Sequence, residues 1–281
     1  AGGTCSRTRS LSRPALRAAI SAEPMAHRCD VVAVRGVRTQ LFKGGRGRPL
    51  LVLHPEFGAG MWAPYHDALA ARFQVVAPDH LGFGGSDHPD WLDSIDDLVL
   101  HYVDLLDLLA IGRTSILGTS LGGWIAAAFA IAHPERVDRL VLAAPAGIRV
   151  EGVPRYDYFA HPLEDTLRRL FHDPSRAAQI APTDSDAEVL VRSHRELATL
   201  ARLSWNPYLF DPKLQQRLPR ITNPTLVVWG SEDAVLPPAP GDALAAHHPS
   251  ATLTHQPASG HKVTNEQTEQ MPRLAIEFLE S

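Results

Sequence analysis

Cysteine is scarce. Cys5 and Cys29 are the only two in 281 residues. A pair without metal-ligand spacing excludes a zinc framework or a disulfide scaffold, and it fits free thiols in a reducing compartment. Long apolar runs are missing as well. No stretch reaches the roughly 18 residues of a membrane helix, so no membrane partner is expected. Neither sign of charge dominates, with 27 basic residues against 31 acidic ones and a formal net charge of -4. Without a basic stripe or patch there is no electrostatic footprint for nucleic acid. The partner that remains is a small-molecule substrate, neutral or apolar before polyanionic. A cytoplasmic location is expected, and the pattern says nothing of oligomeric state.

The first 24 residues differ from the rest. Arg7, Arg9, Arg13 and Arg17 stand among Ser and Ala with one acid, Glu23, and the first methionine is Met25. No apolar core accompanies the arginines, so this is not a secretory signal. An organelle transit segment and an untidy start both fit the composition. Residues 1–24 are expected to be a disordered leader, and residues 25–281 a single domain.

Beyond the leader, strands and helices alternate. Residues 30–34 and 38–42 read as a hairpin around Gly36. Residues 50–53, 73–77, 114–117, 137–143 and 225–229 are short apolar runs of the kind buried on both faces, and residues 251–256 alternate like a last strand. Residues 96–110 carry apolar side chains at helical spacing and end at Gly112. Residues 121–132 form an alanine-rich helix, and residues 266–279 a final one. This order implies an α/β fold, a mostly parallel sheet with helices on both faces. The alternation breaks over residues 147–215. That stretch is polar, helix-prone, interrupted by prolines, and carries Tyr156, Tyr158, Phe159, Phe171, Trp205, Tyr208 and Phe210. It reads as a helical insertion between two strands.

The chemistry centres on Gly118-Thr119-Ser120-Leu121-Gly122. The pattern alone arises by chance in roughly one chain in ten of this size. Its position after a strand and at the start of a helix raises it, because this is where a nucleophile elbow sits. The turn is tight, so its flanking positions must lack side chains. The backbone N–H of Leu121 can then face a developing oxyanion.

A serine hydroxyl needs a base to take its proton, normally a histidine oriented by a carboxylate. The carboxylates Glu232 and Asp233 follow the strand at 225–229. His261 follows the last strand, whereas His255 falls within it. All these loops lie at the strand ends that also carry Ser120, the edge where open α/β sheets bind ligands. A second oxyanion donor should come from the loop after Leu53, His54-Pro55-Glu56-Phe57-Gly58. Pro55 has no N–H to give. Glu56 is the candidate through its backbone N–H, with Phe57 second and its ring better suited to lining the pocket. The glycine-rich segment from Asp79 to Ser86 lacks the Gly-Lys-Ser/Thr ending of a phosphate loop and reads as structural.

Together, the His54 loop, the Asp79 to Ser86 loop, the Gly118 to Gly122 elbow, the Trp229 to Asp233 segment and Gly260-His261 resemble the α/β-hydrolase superfamily. The resemblance runs from about residue 30 to 279. Within the superfamily the chain is similar to the small capped members, which include carboxylesterases, lactonases and hydrolases of meta-cleavage products. The resemblance implies a triad of Ser120, Asp233 and His261, and it favours Asp233 over Glu232. It also implies that residues 147–215 form a helical cap over the pocket. Two departures stand out. Pro55 replaces the glycine that usually follows the loop histidine. Lys262 stands where carbon–carbon bond hydrolases carry an aromatic residue, which counts against that chemistry. Serine at the elbow, in place of aspartate, argues against haloalkane dehalogenases and epoxide hydrolases.

The expected function is therefore hydrolysis of a small carboxylic ester or lactone through an acyl-enzyme on Ser120, with no metal and no cofactor. His261 is the base, Asp233 its orienting acid, and the N–H groups of Leu121 and Glu56 the oxyanion hole. Phe57 and Trp205 are expected in the substrate pocket. Two alternatives are a carbon–carbon bond hydrolase with the same triad, and a non-catalytic ligand-binding receptor built on the same core.

Overall fold

Apolar residues at every position, rather than every second one, set the middle of the sheet. The computed structural model describes residues 27–180 and 187–281, and the leader with Cys5 lies outside the described residues. Eight strands are described: β1 His27–Val34, β2 Val37–Gly44, β3 Pro49–Leu53, β4 Gln74–Pro78, β5 Thr114–Thr119, β6 Val137–Ala143, β7 Thr225–Gly230 and β8 Ala251–Gln256. They form one sheet in the order β1-β2-β4-β3-β5-β6-β7-β8. The two pairings of β2 are antiparallel, and the rest are parallel. Every residue of β5 and β7 is buried, as the unbroken apolar runs require. Edge strands β1 and β8 keep exposed positions.

Successive side chains point to opposite faces of a strand, so each central strand feeds two cores. Leu51, Leu53, Ile116, Leu140, Leu142 and Val227 lie in one. Leu50, Val52, Leu117, Val141, Leu226 and Val228 lie in the other. The first core is covered by helices α2 Ile95–Leu108 and α3 Leu121–Ala132, the second by α1 Pro64–Ala70 and the C-terminal helix Gln270–Glu280. Ser94 caps α2 by accepting from the Asp97 N–H at 3.2 Å, while the Asp97 carboxylate accepts from the Ser94 N–H. That helix stops at Leu108. The left-handed residue that turns the chain is Ala110, with φ 55°, and not Gly112, whose φ is not positive.

Between β6 and β7 lie α4 Leu163–Arg169, α5 Ala187–Ser204, α6 Leu214–Arg217 and short 3-10 turns. The segment leaves and returns at one place. The Gly147 N–H donates to the Leu209 carbonyl at 3.1 Å, and the Asp211 N–H donates to the Gly147 carbonyl at 3.0 Å. After β7 come α7 Ala239–His247, α8 Val263–Glu266 and α9 Gln270–Glu280. The helix expected over residues 266–279 is α9, which starts later, at Gln270; Gln267, with ψ 57°, separates it from the short α8. Among the described residues no helix is long and apolar enough to cross a membrane.

Candidate active site

Strand order reverses beside β3. From β3 the chain moves outward to β4, then crosses back to β5 on the other side. The crevice at such a switch is where ligands bind. Leu53 and Gly118 are register partners, so the loop after β3 and the elbow after β5 emerge side by side. They pack backbone to backbone. A Cβ on Gly122 would lie 2.3 Å from the Leu53 carbonyl oxygen, and one on Gly118 would lie 2.3 Å from the Gly122 carbonyl oxygen. This is the physical reason for the two glycines of the pentapeptide.

Ser120 sits between them at φ 48° and ψ -112°, a conformation that costs a non-glycine residue about 1–3 kcal/mol. Its backbone is held on both sides. The N–H donates to the Ala143 carbonyl at 3.0 Å, and the carbonyl accepts from Trp124 and Ala146 N–H groups, each at 3.0 Å.

The structure brings Ser120, His261 and Asp233 together. Ser120 Oγ is 2.8 Å from His261 Nε2, and His261 Nδ1 is 2.7 Å from Asp233 Oδ2. The other Asp233 oxygen accepts the N–H groups of Val235 and Leu236 at 2.9 and 2.8 Å. That turn is pinned by Trp229, whose indole N–H donates to the Leu236 carbonyl at 2.9 Å. Glu232, the neighbouring acid, points elsewhere and accepts from the Ser259 N–H at 3.3 Å. His255 is partly exposed and pairs with Asp242. With the Nδ1 proton held by Asp233, Nε2 is the face presented to serine.

Glu56 occupies the site differently from its sequence expectation. Its side chain is 1 % exposed, and Oε1 lies 3.6 Å from His261 Nε2, at ion-pair distance. The same oxygen accepts the Tyr158 hydroxyl at 2.7 Å, from the segment between β6 and β7. Burial pushes the Tyr158 phenol pKa well above its ordinary value, and the Glu56 charge adds to that. Lys262 is also fully buried. Its ammonium donates to the Phe57 carbonyl instead of Glu56, and burial lowers its pKa to about 8 against the attraction of Glu56. Burial presses the Glu56 carboxyl upward, but His261, Lys262 and Tyr158 together leave it below the ordinary carboxylate range. Burial likewise presses His261 down, and the two carboxylates outweigh it, Asp233 first, bringing it up to about 9.

Neutral histidines support the loop. The His80 N–H donates to His54 Nε2 at 2.9 Å, which leaves the His54 Nδ1 proton for the Pro55 carbonyl at 2.6 Å. His80 returns Nε2–H to the His54 carbonyl at 2.8 Å and accepts from the Tyr102 hydroxyl. Burial lowers the pKa of both rings, that of His80 well below the usual histidine value. The glycine-rich loop beyond His80 wraps the Asp79 carboxylate, which accepts the N–H groups of Gly60 and Gly85. A Cβ on Gly84 would lie 2.1 Å from Asp79 Oδ2. Helix α5 docks on this loop, with the Gly84 N–H donating to Glu196 at 2.9 Å and Thr199 Oγ1 donating to the Gly82 carbonyl at 3.2 Å.

Phe57 is buried and meets Tyr158 edge to face at 5.4 Å. Trp205 is 59 % exposed, and its ring contact is with Phe159. The indole follows the end of α5 and turns outward there, so it does not reach the triad as the expected pocket wall. Sequence reasoning missed Tyr158 as a polar partner and Lys262 as a buried cation. Proximity to His261 in the chain was the only signal for Lys262. A groove of about 790 Å³ opens between α2, α3 and α6, lined by Trp124, Leu203, Phe210 and Lys213, but none of the triad faces it.

Residues 48–264 match the model of the alpha/beta hydrolase fold family. The chain belongs to the α/β-hydrolase fold family. It is 32 % identical to 2-hydroxymuconate semialdehyde hydrolase of Pseudomonas sp. (strain CF600), over 89 % of this chain and 93 % of that protein. It is 33 % identical to a 2-hydroxy-6-oxononadienedioate/2-hydroxy-6-oxononatrienedioate hydrolase of Burkholderia vietnamiensis, over 84 % and 88 % of the two chains. Among solved structures, the meta-cleavage product hydrolase of Pseudomonas fluorescens IP01 superposes with a TM-score of 0.71 at 25 % identity, covering 92 % of this chain and 98 % of that one. An enol-lactonase from Burkholderia xenovorans LB400 gives a TM-score of 0.72 at 25 % identity, covering 90 % and 100 %.

Proposed function

We propose that this hydrolase cleaves a carbon–carbon bond in a 2-hydroxy-6-oxo-2,4-dienoate, the pattern in the names of its relatives. The observation that carries this reading is the near full-length similarity to hydrolases of such compounds at 32–33 % identity. It displaces the ester or lactone reading favoured from the residues alone, which retains the support of the enol-lactonase likeness. Lys262 weighed against carbon–carbon chemistry because an aromatic residue is usual after the histidine. In the folded chain that lysine holds the Phe57 carbonyl of the loop beside the triad, a supporting role that either chemistry tolerates.

In the proposed mechanism, Ser120 Oγ attacks the 6-oxo carbon while His261 Nε2 takes its proton. The Leu121 and Glu56 N–H groups receive the oxyanion, each such donor being worth about 3 kcal/mol in measured cases. The C5–C6 pair leaves with the dienoate fragment, and water then releases the acyl group from Ser120. Asp233 holds the imidazole in the tautomer this requires. Residues 147–215 act as the cap. Ser120 is 2 % exposed and His261 is fully buried, so substrate entry requires the cap to lift at contacts such as Tyr158 to Glu56.

The test is competition between substrate classes. Purified chain should give a kcat/KM for 2-hydroxymuconate semialdehyde at least tenfold above that for p-nitrophenyl butyrate. The reverse order would return the assignment to an esterase.

A further inference from the structure

A carboxylate deep in a dry site is expensive unless its charge is used. The duties of Glu56 in the fold are one hydrogen bond from Tyr158 and the attraction of Lys262, and neither needs the carboxylate to lie against the catalytic imidazole. The buried ammonium nearby, Lys262, bonds a main-chain carbonyl, and the Glu56 carboxylate instead lies 3.6 Å from the imidazole nitrogen that serves the nucleophile. His261 is thereby flanked by carboxylates on both ring nitrogens, Asp233 at Nδ1 and Glu56 at Nε2, with Ser120 Oγ sharing the second. A triad acting on an ester requires one carboxylate.

We propose that Glu56 is a catalytic residue in its own right, sharing the Nε2 proton of His261 at rest and taking the substrate's enol proton in the reaction. This rests on the carbon–carbon reading above. In a 2-hydroxy-6-oxo-2,4-dienoate, C5 is a double-bond carbon, and the C5–C6 bond can break as needed only after C5 gains a proton. Glu56 accepts the proton of the 2-hydroxyl. The O–H pair becomes the C2 carbonyl, the C2=C3 pair moves to C3=C4, and the C4=C5 pair takes the proton that His261 holds at Nε2. The imidazole is left neutral, which is the form that can deprotonate Ser120. On cleavage the C5–C6 pair runs back along the chain to the C2 oxygen, which recovers the proton from Glu56. Water is the only other reactant: as it attacks the acyl group, His261 returns the serine proton to Ser120 Oγ and takes one water proton in its place, so the cycle ends with His261 again protonated at Nε2 and Glu56 ionised.

The largest influence holding Glu56 ionised against burial is His261, so the carboxylate becomes a better proton acceptor as His261 gives up its Nε2 proton. His261 and Lys262 face it from the loop after β8, and Tyr158 from the cap. Asp233 lies behind the imidazole, and His54 and His80, both neutral, lie behind the loop. The Tyr158 hydroxyl gives Glu56 a hydrogen bond that a substrate hydroxyl can replace when the cap lifts. A buried acceptor of this kind discriminates against substrates lacking the hydroxyl.

Glu56→Gln keeps the shape and removes the proton acceptor. The variant is expected to lose at least 100-fold in kcat on 2-hydroxymuconate semialdehyde, within the usual contribution of a general acid or base. Its loss on p-nitrophenyl butyrate, which has no enol proton, should be at least tenfold smaller. The acid limb of ester hydrolysis should also move to lower pH, because one of two charges holding the imidazolium is gone. Glu56→Asp, with a carboxylate one methylene back, should recover part of the dienoate rate, and labelling of Ser120 by a fluorophosphonate reports that each variant is folded. If wild type does not cleave the dienoate, the carbon–carbon reading fails and takes this inference with it. If wild type cleaves it and Glu56→Gln stays within threefold, the inference alone is overturned. An equal loss on both substrates with an unmoved acid limb also overturns it, since that is the mark of packing.

Discussion

Gly122→Ala opposes two quantities that the structure ranks. Gly122 lies in the first turn of α3, where alanine is the better helix former by about 1 kcal/mol. Propensity alone therefore anticipates a stabilised protein. The added Cβ, however, would lie 2.3 Å from the Leu53 oxygen and 2.6 Å from the His54 oxygen. Both are main-chain atoms at the end of a central strand, not the tip of a flexible side chain. They must retreat by about 1 Å to reach ordinary contact, and overpacking of this kind costs about 1–3 kcal/mol. The net expectation is a loss of about 1 kcal/mol and a Tm lower by about 2–4 °C. The kinetic effect should be larger. The retreating segment carries the Glu56 N–H and carboxylate, and a misplacement of about 1 Å can cost 10²-fold in rate. Calorimetry and the second-order rate of fluorophosphonate labelling at Ser120 measure the two effects. Gly112→Ala serves as the control, because a Cβ there meets nothing within 4 Å. A raised Tm with undiminished labelling in Gly122→Ala would refute the packing argument.

Other expectations concern the polar groups. Asp233→Asn should reduce turnover on the order of 10⁴-fold by presenting the wrong imidazole tautomer, whereas Glu232→Gln should stay within threefold; kcat for both variants decides between the two acids. On p-nitrophenyl butyrate, where neutral His261 is the base and no substrate carbon needs its proton, a His261 pKa raised in the free protein to about 9 should make kcat/KM climb from pH 7 to pH 9 and level above it. A limb near pH 6.5 would show that the carboxylates do not hold the proton. Tyr158→Phe removes the hydroxyl that Glu56 accepts and should destabilise the fold by about 1.5–3 kcal/mol, read by urea unfolding.

Much of the fold is legible in the sequence because its signals are local. β5, β7 and α3 are apolar at almost every position, and that pattern has one reading. Two helices give no such signal. α1 and α7 are short, and α7 is held by the contact of Gly241 with Trp229 rather than by an apolar stripe of its own. The end of α2 is misplaced from sequence because glycine is the usual residue to turn the chain, and here Ala110 does so. Ser120 and His261 can be read from the order of loops at one sheet edge, whereas Asp233 is separated from its neighbour Glu232 only by the family resemblance. The role of Glu56 cannot be read in either way. Sequence offers it as a main-chain donor, and only the fold shows its carboxylate turned toward His261 by a tyrosine 102 residues away. Trp205 shows the opposite failure, since an aromatic residue in an insertion does not declare which way it faces.

The central claim is that Ser120 breaks a carbon–carbon bond. Single-turnover cleavage of 2-hydroxymuconate semialdehyde by wild type and by Ser120→Ala, with both product fragments followed by mass spectrometry, tests it most directly. Wild type is expected to yield two fragments, and the mutant to show a fall of at least 10³-fold in their rate of appearance. Fragments appearing at the wild-type rate from Ser120→Ala would contradict it.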